Sequence, residues 1–272
     1  MNTPLQDLLR AAGLIRVSAE IEQVALPSIR LRAHAVDETQ LKPGITRFGG
    51  APDILPKWAW PEYHGSALPF VGQVNLAEIA SYSIVSPLPD SGILSFFFDV
   101  DAFFETWPRD PATWKVEYIE HAPSESQHTI LSEMRCSKSI YHPCTVTYSF
   151  EWTLPHYDPY DSTSLQQLSL SQPLTEEEMW AYFGLQATLA GREGTRYYTP
   201  IHRFLGHPDP VQVDMHADLE GETSEWLLLL QVDTDGAPHT DWGDTGRIYY
   251  WIRKQDALQR DFSQVQLILQ CT

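Results

Sequence analysis

Alternating apolar and polar residues predict strands along most of the chain. IRLRAHAV from Ile29 alternates apolar residues with polar or small ones, which is the period of a half-buried strand. LSFFFDV from Leu94 is apolar on both faces, as is typical of a strand in the interior of a sheet. Further strand patterns begin at Trp114 and Thr145, near 226–233 and 247–253, and at Gln264. Short connections between these segments favour antiparallel pairing in a β-rich α+β protein.

One longer helix interrupts the strand patterns. Thr175 and Glu178 have the spacing of a capping box, three glutamates occupy the first turn, and Gly191 can end the helix after about Ala190. Helical spacing places three apolar residues near one face, and this face is expected to pack inward: Met179, Phe183 and Leu189.

Three sequence blocks occur twice and in the same order. ITRFGGAPD at residues 45–53 recurs as IHRFLGHPD at 201–209, an offset of 156 residues. LPFVGQVN is echoed by LLLLQVD at an offset of 158, and DSGILSFFF by DTGRIYYWI at an offset of 154. Such internal similarity predicts a tandem duplication. We expect two antiparallel-sheet modules packed around a pseudo-two-fold axis, with a few helices.

The repeat also sets the expected domain organisation. Since each module alone offers few strands, we expect one compact domain over residues 1–272. Its parts are an N-terminal helix and strand (1–44), module copy 1 (45–155), a connecting loop and helix (156–200) and module copy 2 (201–272).

Three features of the sequence indicate the cellular compartment of the protein. The opening sequence MNTPLQDLLRAAG lacks the pattern of a signal peptide, and no apolar run approaches the ~18–20 residues that span a bilayer. The three cysteines, Cys136, Cys144 and Cys271, are too few and too odd in number for a disulfide framework. These features predict a cytoplasmic protein that is not inserted in a membrane.

The negative charge is unevenly spread along the chain, and copy 2 contains a long interval without basic residues. The chain has a formal net charge of −18, and no lysine or arginine separates Arg203 from Arg247. This interval contains ten acidic residues: Asp209, Asp214, Asp218, Glu220, Glu222, Glu225, Asp233, Asp235, Asp241 and Asp244. Such a surface repels phosphate backbones and attracts a basic protein or a divalent cation. We therefore expect no nucleic-acid partner, although a merely solubilising acidic surface is the simpler alternative.

Several of the quoted blocks together resemble the YwqG-like family, a bacterial domain family of unknown function. The matching motifs are FGG-x-PD from Phe48, LPFVGQVNL from Leu68, HRF-x-GHPDPVQ from His202, WLLLLQVDTD from Trp226 and WGD-x-G-x-IYYWI from Trp242. The resemblance covers most of the chain beyond Ile29. It implies a β-rich bacterial cytoplasmic protein and carries no substrate, cofactor or catalytic residues.

Residues common to both copies are interpreted as scaffold, because glycine, proline and aspartate at such positions shape turns. Positions outside that common set are the better candidates for binding, together with Arg203 and Asp244 from within it. The binding candidates are Arg203, His202, His207, Asp233, Asp235, His239, Asp241, Asp244 and Trp242.

Metal binding has only weak sequence support, so neither a metal nor a cofactor is predicted. Asp233-x-Asp235-Gly236 resembles the start of a calcium loop, but its glycine comes too early and no glutamate closes it. Cys136, His142 and Cys144 lack the C-x₂-C pair of a zinc knuckle.

Two functions stay open. The chain contains no G-x-S-x-G, H-E-x-x-H, P-loop or G-x-G-x-x-G motif, so the sequence favours a protein without catalytic activity. The leading hypothesis is a binding protein, resembling an immunity protein, whose acidic face engages a basic protein. The alternative is a small-molecule enzyme or sensor with a pocket between the modules. Neither catalytic residues nor the oligomeric state can be assigned from the sequence.

Overall fold

A large antiparallel sheet organises the protein. The computed structural model describes residues 4–53, 58–82, 84, 86–120, 141–157, 168, 170–192, 199–212 and 215–272. In these ranges the strands are β1 (Leu26–Ala35), β2 (Arg47–Phe48), β3 (Glu62–Tyr63), β4 (Ser66–Ala67), β5 (Phe70–Asn75), β6 (Ile93–Phe98), β7 (Trp114–Ile119), β8 (Cys144–Thr153), β9 (His202–Phe204), β10 (Trp226–Asp233), β11 (Arg247–Arg253) and β12 (Gln266–Gln270). The helices are α1 (Leu5–Ala11), α2 (Ser18–Val24), α3 (Leu76–Ile79), α4 (Val100–Glu105), α5 (Glu176–Leu189) and α6 (Lys254–Gln259).

Ten strands form the main sheet, in the order β12-β11-β10-β9-β1-β8-β2-β5-β6-β7. The central pair, β1 and β8, is aligned from Leu26 opposite Thr153 to Ala35 opposite Cys144. On each side of this pair come one strand of two or three residues and then three longer strands. The predicted β-rich architecture with a few helices is confirmed.

The two flanks of the sheet face each other across one core. Phe96 of β6 and Tyr250 of β11 have ring centroids 5.0 Å apart, and the Tyr250 hydroxyl donates to the Phe97 carbonyl at 3.4 Å. Every strand of the main sheet contributes buried apolar residues to this core, and the two edge strands β7 and β12 do so through Val116 and Leu267. The sheet is therefore nearly closed around its apolar face.

A smaller apolar cluster joins α1, α2 and α5. The predicted capping box is confirmed, because Thr175 Oγ1 accepts the Glu178 N–H at 3.2 Å and Glu178 accepts the Thr175 N–H at 2.8 Å. The prediction that Phe183 packs inward was wrong, since 43% of it is exposed and Tyr182 is buried instead. Helical spacing alone does not say which face meets the rest of the protein.

Candidate functional site

The loop between β10 and β11 folds into a second, smaller hairpin. Asp235 and Thr240 exchange two main-chain hydrogen bonds, of 3.1 and 3.0 Å. Asp235 Oδ1 accepts the Ala237 N–H at 2.9 Å, a turn-forming contact typical of aspartate. His239 has a φ of 57°, in the left-handed region. We call residues 234–245 the acidic hairpin.

Trp242 anchors this hairpin to the core. Its side chain is fully buried, with ring contacts to Phe98 at 5.7 Å and Tyr141 at 5.5 Å. A Cβ on Gly246 would lie 2.3 Å from the Trp242 carbonyl oxygen, so the chain reverses here at a distance that only glycine permits. Trp242 was predicted as a binding residue, but its buried ring instead attaches the hairpin to the core.

His202 ties β9 to the hairpin. Its Nδ1 accepts the Asp233 N–H at 3.1 Å, which leaves the proton of the neutral imidazole on Nε2. Nε2 lies 2.9 Å from Asp235 Oδ2 and donates to it. The side chain is 1% exposed. Both ring nitrogens are therefore engaged within the protein.

Electrostatics around Asp235 favour its ionised form. Burial by itself raises the pKa of the Asp235 carboxyl, but hydrogen bonds from His202 and the Ala237 N–H outweigh burial and leave the pKa lowered. Nearby, burial and the Asp235 charge raise the pKa of the Cys144 thiol to about 12. Because the thiolate is the reactive form, Cys144 is not an activated nucleophile at neutral pH.

An open depression of about 650 Å³ lies on the hairpin. It is lined by Thr234, Asp235, Gly236, His239, Thr240, Asp241, Gly243, Asp244 and Thr245. Four of the predicted site residues therefore meet at one surface: Asp235, His239, Asp241 and Asp244. No lysine or arginine of the described ranges lines this depression.

A stacked histidine pair borders the hairpin. The rings of His142 and His239 are 4.0 Å apart and inclined by 19°, and the His142 N–H donates to the Pro238 carbonyl at 2.8 Å. Both residues are exposed. The sequence analysis did not connect His142 with the hairpin, because the two are nearly 100 residues apart in the chain.

Three other predicted residues lie in structural contacts away from the depression. Arg203 donates through Nε to Glu151 at 2.6 Å and through Nη1 to the His207 carbonyl at 2.8 Å. His207 Nε2 is 2.7 Å from the Val24 carbonyl oxygen. Asp233 forms an ion pair with Arg247, with Oδ2 2.8 Å from Nε.

These contacts belong to a buried ionic network that the sequence did not reveal. Glu151 of β8 lies between Arg203 and Arg30, with Arg30 Nη2 at 2.6 Å. Burial alone would raise the pKa of Glu151, but the two guanidinium groups lower it overall. Asp209 bonds Arg247 and Arg192, and its pKa is likewise lowered by these cations against the effect of burial.

The described residues offer no ready metal centre, since no three His, Cys, Asp or Glu side chains among them converge as ligands. Cys136, considered above for zinc, lies outside the described residues. None of the helices in the same ranges has the length and apolarity needed to traverse a bilayer.

Comparison with known proteins identifies the family of the chain. Residues 46–271 match a family described as a domain of unknown function, DUF1963. This match spans most of the chain, so the protein belongs to that family. No curated protein matches the chain.

Proposed function

We propose that this protein is a non-catalytic binding protein whose acidic hairpin engages a basic protein partner. The observation that carries the proposal is the depression bordered by Asp235, Asp241 and Asp244, with no described lysine or arginine in its lining. Clustered carboxylates of this kind attract cationic side chains and accelerate their association.

The internal ion pairs show which acids are available to a partner. Asp209 and Asp233 are held by arginines, and Asp235 accepts from His202. Glu225 pairs with Arg253 at 2.7 Å. Asp241 and Asp244, in contrast, are exposed at the rim of the depression. These two residues are the strongest candidates to contact a basic side chain.

The hairpin is also held in shape before any partner binds. The Trp242 anchor, the His202 contact and the Asp235–Thr240 bridge fix it from three directions. A preformed surface loses less conformational entropy on binding than a flexible loop. Non-catalytic action fits the chemistry as well, because His202 has both nitrogens engaged and the Cys144 thiol is protonated.

Low-salt co-purification with identification of retained proteins by mass spectrometry tests the proposal. A partner steered by charge should be lost steeply as salt rises to physiological concentration. The double variant Asp241→Asn/Asp244→Asn should weaken its affinity about tenfold, since two charge pairs at a rim contribute up to about 1 kcal/mol each.

The matched control is Asp218→Asn/Glu220→Gln, which removes the same charge from exposed acids outside the depression. It should retain most of the affinity. Recovery of no protein, recovery of only salt-insensitive proteins, or equal loss in both double variants would refute the role of the hairpin.

We also propose that residues 45–155 and 201–272 are duplicated modules related by a pseudo-two-fold axis. Matching contacts support this. The Asp53 N–H donates to Gln73 Oε1 at 3.0 Å, and the Asp209 N–H donates to Gln231 Oε1 at 2.9 Å. Each of the two glutamine amides donates back to an isoleucine carbonyl, at 2.8 and 2.7 Å.

We also propose that the protein is a member of the YwqG-like family, on the basis of the motifs quoted above. A cytoplasmic location is proposed with it, on the basis of the small and odd number of cysteines. Fractionation of cells that express the chain, with antibody detection, tests the location.

A further inference from the structure

The two edges of the ten-stranded sheet meet at a seam. β7 and β12 are its terminal strands. Trp114 Nε1 donates to the Val265 carbonyl at 2.8 Å, and the rings of Tyr118 and Phe262 are 5.3 Å apart. The 3₁₀ turn Phe262–Gln264 therefore lies beside β7, where a further strand would be needed to complete the sheet.

Strand register shows which main-chain groups of β7 face this seam. The Asp99 N–H donates to the Thr113 carbonyl at 2.9 Å, in line with Phe98 lying opposite Trp114. Antiparallel pairs alternate between hydrogen-bonded and non-hydrogen-bonded residues. Lys115 and Glu117 consequently turn their main-chain groups toward β6, while Trp114 and Val116 turn theirs toward the seam.

These outward groups belong to buried residues. Trp114 is 6% exposed and Val116 is 2% exposed. Among the described residues, none makes a hydrogen bond to the outward N–H or C=O of either. Buried main-chain groups in folded proteins are nearly always paired. The seam thus presents donors and acceptors with the spacing of a strand edge.

A cleft of about 360 Å³ adjoins these groups, within the range of roughly 300–1,000 Å³ typical of ligand sites. Its apolar lining includes Leu68, Trp114, Val116, Phe262 and Val265. Lys115 and Glu117, 3.9 Å apart, and Glu62 supply its charges.

We propose that the seam binds an extended peptide segment of a protein partner as an additional strand alongside β7. Unpaired main-chain groups recognise an extended backbone and provide the affinity of this binding mode, and side-chain pockets add specificity. The apolar lining favours a peptide in which apolar residues alternate with polar ones. The charges of the cleft favour an acidic residue near Lys115 and a basic residue near Glu117. This site is separate from the acidic hairpin, so either proposal can fail without the other.

The probe for the test is a capped six-residue peptide that alternates valine with glutamate and lysine. On titration into the full chain, amide hydrogen exchange at Trp114 and Val116 should slow about tenfold or more, because both amides gain acceptors. The Lys115 amide, already bonded to β6, should change little. Unchanged exchange at Trp114 and Val116 with millimolar peptide would overturn the proposal.

Two N-methylated versions of the peptide identify strand addition. Alternate peptide nitrogens of a bound strand point toward β7 and away from it. The version with methyl groups on the nitrogens that point toward β7 should lose binding, and the version with methyl groups on the remaining nitrogens should keep it. Equal behaviour of the two versions would show that the peptide does not pair with β7.

Charge selection is tested with Lys115→Glu, which should weaken the probe roughly fivefold. Replacing the glutamate of the probe by a second lysine should restore binding to this variant, because both positions 115 and 117 then carry an acid. Lys42→Glu, a substitution at an exposed lysine outside the cleft, is the matched control and should bind like the unaltered chain. Equal weakening in both variants would contradict the predicted side-chain chemistry.

Discussion

His202 Nδ1 accepts the Asp233 N–H at 3.1 Å, and in the other half of the sheet Thr46 Oγ1 accepts the Asn75 N–H at 2.8 Å. The two residues occupy equivalent positions in the sequence blocks at 45–53 and 201–209. Only His202 has a second polar atom, and this atom reaches Asp235. The histidine therefore combines an acceptor common to both halves with a contact that fixes the acidic hairpin.

Replacement of His202 by valine or threonine separates these two contacts. Both variants should lose about 2–4 kcal/mol of unfolding free energy, because a buried ring and the Asp235 bond disappear. Threonine should be about 1 kcal/mol more stable than valine, since its hydroxyl can still accept the Asp233 N–H. Urea unfolding measures the difference.

The corresponding control is Thr46→Val, which removes the acceptor of the Asn75 N–H and should cost a similar ~1 kcal/mol. If His202→Val proves as stable as His202→Thr, the Nδ1 contact has no energetic role and the equivalence of the two positions is only geometric.

Removing the charge of Glu151 should destabilise the fold strongly. Glu151→Gln leaves the buried guanidinium groups of Arg30 and Arg203 without their anion, a change that costs about 3–5 kcal/mol. Because the pKa of Glu151 is lowered in the fold, its contribution is full above the ordinary glutamate pKa. It is lost as pH falls through the lower folded value.

Urea unfolding at pH 7 and at acid pH checks this prediction, and the gap between variant and unaltered chain should narrow on acidification. Glu120→Gln is the control, since Glu120 and Arg260 form an exposed pair worth at most about 1 kcal/mol. A loss no larger than that of the control would mean that the buried network is energetically neutral.

Acid should weaken the attachment of α1 and α2 to α5. Hydrogen bonds from Arg16 and from the Thr175 N–H lower the pKa of Glu178 to about 2. The stabilisation is therefore complete above the ordinary glutamate pKa and is lost as pH falls toward about 2. Glu178→Gln should shift the acid-unfolding midpoint of helical circular dichroism to higher pH.

Glu177→Gln, on the exposed side of the same turn, provides the comparison and should leave the midpoint nearly unchanged. Identical midpoints for Glu178→Gln and the unaltered chain would show that the Arg16 contact does not hold the helices together.

Gly49 should tolerate no side chain. It has a φ of 60°, and a Cβ there would lie 2.1 Å from the His142 carbonyl oxygen. Gly49→Ala should therefore cost at least about 3 kcal/mol, from the left-handed backbone and the main-chain clash together. Thermal unfolding followed by calorimetry measures the loss.

Gly13→Ala is a control for the backbone term alone, because Gly13 has a φ of 81° and open space around its Cβ position. It should cost about 1–2 kcal/mol. Equal losses at the two glycines would rule out the clash with His142 as the cause.

Local patterns predicted much of the fold. Local apolar patterns, alternating in some segments and continuous in others, located β1, β6, β7, β8, β10, β11 and β12, and the Thr175–Glu178 spacing identified the start of α5. The short strands β2 and β9 were not recognised, since two or three residues are too few for a period to be visible. Phe183 was assigned to the wrong face of α5, because amphipathic spacing does not reveal which face finds a neighbour.

The sequence by itself determined the strand-rich character, the helix cap and the acidic run of copy 2, because each depends on residues close together in the chain. Only the tertiary structure decided which acids are paired internally and which are exposed. Asp209 meets Arg247, and Glu151 meets Arg203, through contacts across the sheet. Which residues pair depends on which strands are neighbours in the sheet. No spacing along the sequence reveals these neighbours, so the partners could not be predicted.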